Sequence, residues 1–230
     1  MALHLVPGVL LLAFYVIVAP PLRRAGFPSA FAFQLGLLFT ILPWMLGVLA
    51  REGRRRAGRA SLLVAVAFRE PMPRWQVAVL GVVLFVWAVA VFAVVGPAEF
   101  RFVGSAFAWL PDWFYLNEDL SRYSQPVLIV TWSLALVLNG LAVPIVEELY
   151  FRGYLLPRMP GAAWVAVALH VVLFSAYHFF APWQSLTRVL ALVPLVAVVY
   201  WKRNVYVGMV AHAGLNLLGV LEALPDVLGQ

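Results

Sequence analysis

Seven apolar runs divide the chain, and they leave little choice of fold. They are Leu3–Ala19, Phe31–Ala50, Trp75–Val95, Val127–Val146, Ala162–Ala181, Leu186–Trp201 and Val205–Leu221. Most approach the roughly 20 residues that a helix needs to cross a bilayer. Backbone groups inside a membrane must find partners within the chain, so a polytopic helical bundle is expected. We expect an all-α fold of about seven spans (six to eight), with residues 1–230 forming a single transmembrane domain. Of the 230 residues, 64% are hydrophobic and only 11% charged. A soluble domain carries about 25% charged residues.

The basic residues set the expected orientation. The loop Arg51-Glu52-Gly53-Arg54-Arg55-Arg56-Ala57-Gly58-Arg59 is the strongest signal, and the positive-inside rule makes it cytoplasmic. The amino terminus is then cytoplasmic and the end near Gln230 outside, in an integral protein of a bacterial inner membrane. Glu222 and Asp226 fall outside. Arg23 and Arg24 also fall outside, against the rule. The net charge of +6 sits in short loops, so it points to the bilayer and not to nucleic acid. Pro20-Pro21 should end the first span, and Pro43 should kink the second. Ser61 to Phe68 is apolar but too short to span, and reads as an interfacial segment. The long aromatic loop from Gly96 to Gln125 suits the outer interface. The first run has no basic start or small-residue cleavage pattern, so it reads as a retained span.

Polar groups within the spans carry the functional signal. Val146-Glu147-Glu148-Leu149-Tyr150-Phe151-Arg152-Gly153 places two carboxylates and a guanidinium at the end of the fourth run. Each costs a few kcal/mol inside a membrane, so a functional role is the default. The bland alternative is a helix end snorkelling into headgroups. Glu148 and Arg152 are four apart and can pair on one face. Glu147 is rotated about 100° and faces elsewhere. One glutamate can thus be held in a pair while the other is free for chemistry. The fifth run carries His170, Phe174 and His178 on one stripe, and the seventh carries His212 and Asn216 four apart. A lone histidine such as His170 is more often structural. Residues 127–221 form the expected catalytic core.

Two chemistries fit this set. Glu147 and His178 could hold a water and take its proton, with His212 and Asn216 donating to the oxyanion formed at a carbonyl. Alternatively Glu147, His178 and His212 could bind zinc, which would activate the water. No His-Glu-x-x-His motif supports zinc and no Gly-x-Ser-x-Gly motif supports a serine nucleophile. The chain has no cysteine, which excludes disulfides and thiol catalysis.

Taken in order, Glu147-Glu148-x-x-x-Arg152, Phe174-x-x-x-His178 and His212-x-x-x-Asn216 resemble the CPBP family of intramembrane glutamic endopeptidases. That family includes the type II CAAX prenyl proteases and bacteriocin-processing relatives. The resemblance covers about Val127 to Leu221. It implies that Glu147 and His178 activate water, that His212 and Asn216 form the oxyanion site, and that Glu148 and Arg152 support them. It implies no cofactor, zinc being the alternative, and a membrane-anchored peptide or protein as substrate. A non-catalytic scaffold or bacteriocin-immunity protein on the same fold would not need Glu147, His178, His212 and Asn216; an ion or proton transporter would use the same buried carboxylates and would show flux instead of cleavage.

Overall fold

A computed structural model describes residues 1–116 and 118–229, without the side chain of Asp226. The expected outward position of Gln230, and of the Asp226 side chain, lies outside the described residues. The fold is an all-helical bundle, with no strand among the described residues. Among the described residues six helices are long and apolar enough to cross a membrane: α1 Ala2–Arg24, α2 Ser29–Ala57, α3 Arg74–Phe107, α4 Gln125–Arg158, α6 Pro182–Lys202 and α7 Val205–Glu222. A shorter apolar helix, α5 Ala163–Tyr177, stands between α4 and α6. Each expected run therefore has its helix, but several boundaries move.

Prolines explain two of the corrections. Pro20 and Pro21 do not end α1, which continues to Arg24. The third helix also runs past its expected end at Val95, with Pro97 inside it, so the aromatic loop begins after Phe107 and not at Gly96. Inside a bundle, neighbouring groups can satisfy the backbone bonds that proline forfeits. In α2 the expected irregularity is present, as a π-helical turn at Leu37–Ile41 just before Pro43. The Thr40 hydroxyl donates to Gly36 O at 2.7 Å in that turn.

The largest correction concerns the fourth run. It was expected to stop at the glutamates, yet α4 carries them about three turns inside its Arg158 end. It does so with two π-helical stretches, Leu136–Ala142 and Glu148–Leu155. Glu147, Glu148 and Arg152 are buried inside the bundle, which is incompatible with snorkelling. Conversely, α5 ends at Tyr177 and not at Ala181. His178 has left the helix, with φ −86° and ψ 49°, so the stripe from His170 breaks at its last member.

The interfacial segment after α2 ties the bundle together. Leu62–Ala65 is a single helical turn. Beyond it Ala67 N–H donates to Gly153 O at 2.8 Å, and Val205 N–H donates to Phe68 O at 3.0 Å. The turn between α6 and α7 is as tight as expected: Arg203 takes φ 50°, and the Asn204 side chain caps α7 by accepting from Tyr206 N–H at 3.0 Å. At the opposite end Arg23 pairs with Glu118, which also accepts from Ser29 N–H and its hydroxyl at 2.6 and 2.7 Å. Of the two arginines expected to break the positive-inside pattern, Arg23 is thus paired with a carboxylate.

Candidate active site

Two helix defects position the polar groups. In the π-helical stretch of α4, the residue five places on should donate to the Asn139 carbonyl, but that residue is Pro144, which has no N–H. The Asn216 amide of α7 donates there instead, at 2.9 Å. A carbonyl only accepts, so the amide nitrogen of Asn216 must face it, which leaves a second N–H available. At the end of α5 the chain tightens, and His178 N–H donates to Ser175 O at 3.1 Å. The freed Phe174 carbonyl takes the His178 ring at Nδ1, 2.9 Å away. Nδ1 therefore carries the proton, and Nε2 of the neutral ring is an unprotonated base.

The two glutamates face different groups but meet at opposite nitrogens of one ring. His212 stands between them, with Nδ1 2.9 Å from Glu148 Oε1 and Nε2 3.6 Å from Glu147 Oε2. Glu147 Oε1 accepts from the Tyr177 hydroxyl at 2.7 Å. The expected pairing of Glu148 with Arg152 is present, Nη1 to Oε1 at 3.2 Å, with both side chains fully buried. It is an ion pair by distance; the π-helical register leaves the guanidinium nitrogens without aligned hydrogen bonds. Arg152 Cζ instead lies over the Phe174 ring, 3.9 Å from its centroid. A glycine at 208 is required here, because a β-carbon would collide with Glu148 Oε2.

Glu147, His178, His212 and Asn216 line one cavity of about 730 Å³. It extends to the end of the bundle where α2 begins and α7 ends, with Ala30, Leu116 and Glu222 on its wall. No three His, Asp or Glu side chains among the described residues converge closely enough to share a metal ion. Glu147, His178 and His212 thus share a cavity without forming a ligand cage.

His170 lies apart from this set. Its Nδ1 shares a 3.1 Å hydrogen bond with His4 Nε2, which ties α5 to α1. Sequence reasoning missed three residues of the cavity: Tyr177, Asn139 and Arg188. Asn139 and Arg188 are polar groups inside spans, and the rule that flagged the glutamates could have found them. Tyr177 gave no signal beyond standing next to His178.

The family model of Rce1-like type II CAAX prenyl endopeptidases matches residues 129–218. All three motifs lie within that segment, in agreement with the resemblance read from them. The match points to a protease of the membrane. No curated protein and no solved structure matches the chain.

Proposed function

We propose that the protein is an intramembrane endopeptidase that hydrolyses a peptide bond of a membrane-anchored protein or peptide with water activated by Glu147 and His178. The observation that carries this reading is the convergence of one carboxylate, two imidazoles and one amide from α4, the residue that follows α5, and α7 on a single cavity. Membrane helices bury such groups at a cost, and a scaffold would gain nothing from their convergence.

In the proposed reaction Glu147 and His178 Nε2 hold a water and remove its proton. The water oxygen attacks the carbonyl carbon, and charge moves onto the carbonyl oxygen. The free N–H of Asn216 and Nε2–H of a protonated His212 donate to that oxyanion. Glu148 stabilises that imidazolium by accepting from Nδ1, 2.9 Å away. When the intermediate collapses the C–N bond breaks, the proton passes to the leaving amine, and a carboxylate and an amine result. Tyr177 and Asn139 are positioning residues, acting through Glu147 and Asn216.

The orientation follows from the basic loop. With Arg51–Arg59 in the cytoplasm of a bacterial cell, the end of the bundle that the cavity reaches faces outward. Substrate then enters from the outer half of the membrane. Because the chain has no cysteine, single cysteines placed at 55 and 221 can be labelled without background. A membrane-impermeant thiol reagent should reach the second and not the first in intact cells; the reverse would sink the orientation.

The activity is tested with purified full-length protein in proteoliposomes and a farnesylated peptide, read by mass spectrometry. Cleavage should occur in the wild type, persist after chelator treatment, and vanish in Glu147→Gln. Activity that a chelator removes and zinc restores would instead make Glu147, His178 and His212 metal ligands.

A further inference from the structure

Arg188 is a buried guanidinium that the proposed reaction leaves unused. It stands near the start of α6 and lines the same cavity as Glu147, His178 and Asn216. It is only 7% exposed. One nitrogen donates to Gln184 Oε1 at 3.2 Å, while Nη1 has no hydrogen-bond partner. Arg188 forms no ion pair among the described residues, although two carboxylates lie within electrostatic reach. Both are engaged elsewhere. Glu99 accepts from Leu186 N–H and Thr187 N–H, each at 2.7 Å, and so caps α6. Glu147 accepts from Tyr177 and faces His212.

A buried cation without a counter-ion is costly, and in a membrane protein it marks a ligand path. The planar guanidinium matches a carboxylate in a two-point hydrogen bond. The remaining wall is largely apolar, with Phe33, Leu37, Phe92, Leu192 and Leu195. One cation in an apolar cavity, beside a hydrolytic set, suits an apolar peptide that ends inside the cavity.

We propose that Arg188 binds the free carboxyl-terminal carboxylate of the peptide substrate and thereby selects chain ends over internal segments. The peptide identity rests on the protease reading above; the carboxylate site itself does not need turnover. The test uses the full chain in phosphatidylcholine nanodiscs, where no anionic headgroup competes. Two fluorescent farnesylated peptides with apolar tails serve as probes, one ending in a free carboxylate and one in an amide. Wild type should bind the carboxylate probe roughly tenfold to a hundredfold more tightly, as expected for a charge-assisted pair. Arg188→Gln should lose that preference by weakening the carboxylate probe alone, and Arg188→Lys should keep part of it.

Equal binding of both probes by the wild type overturns the proposal, whether or not Arg188→Gln folds. So does equal weakening of both probes in a monodisperse Arg188→Gln protein. If added phosphatidylglycerol abolishes the preference, a lipid headgroup is the occupant and the peptide assignment falls. Preference without cleavage in the parallel mass-spectrometric assay would sink the protease reading and leave the carboxylate site standing. Cleavage without preference would do the reverse.

Discussion

The Tyr177 hydroxyl donates a 2.7 Å hydrogen bond to Glu147 Oε1 across the gap between α5 and α4. This contact fixes the proposed base at the point where α5 stops. Tyr177 is buried, so the bond has no water to replace it. Tyr177→Phe should lower kcat by roughly tenfold to a hundredfold, with KM little changed, because a bond to a charged group contributes about 1.5–3 kcal/mol. Steady-state cleavage kinetics would check this, and an unchanged kcat would remove Tyr177 from the positioning set.

Glu147 and Glu148 should separate by their effect on folding. Glu147→Gln should abolish cleavage while leaving folded protein, since it deletes a base and keeps the shape. Glu148→Gln should also reduce folded yield. It leaves the fully buried Arg152 without its partner, a loss of about 3–5 kcal/mol for a buried pair. Monodisperse yield in detergent is the readout; equal yields would contradict the division.

Gly8 reaches the site through backbone contact. A β-carbon there would overlap the Tyr177 carbonyl oxygen. Gly8→Ala should cost about 1–3 kcal/mol by overpacking and lower activity by displacing Tyr177 and His178. Gly47→Ala is the control, because a β-carbon there meets open space. Thermal unfolding and turnover of the two variants should diverge; similar values would mean that α1 does not hold the end of α5.

Glu118 should give the end of the bundle where Arg23 and Ser29 stand a pH dependence. Burial pushes its carboxyl up, but donors from Ser29, Arg23 and Tyr123 outweigh burial and hold it below its ordinary value. The unfolded chain then binds more protons than the folded one between the two values, so stability rises with pH there. The contribution is complete above the ordinary glutamate value and is lost as pH falls through the depressed one. Melting temperatures of detergent-solubilised protein should fall through that window in the wild type and less steeply in Glu118→Gln. Parallel curves would mean that the clamp does not contribute.

The sequence by itself determined the helical class, the existence of each apolar helix and the residue types of the candidate site. Those follow from the length of apolar runs and from the cost of burying Glu147, Glu148, His178, His212 and Asn216 in a membrane, both local properties of the chain. Tertiary structure decided where the helices end and how the polar groups meet. Pro20 and Pro21 look like breakers in sequence, but a bundle can supply what they forfeit. A 100° offset suggested that Glu147 and Glu148 part, yet His212 from α7 reaches both. The Asn139 carbonyl is free only because a π-helical register sets it against Pro144, and its partner is 77 residues away in the chain. The amino-terminal half matched no motif, yet it touches the site's helices: Gly8 packs against Tyr177, His4 bonds His170, and Leu3 O accepts from the Tyr150 hydroxyl at 2.8 Å. Such contacts depend on the distance between helices, which the spacing of residues along one helix does not encode.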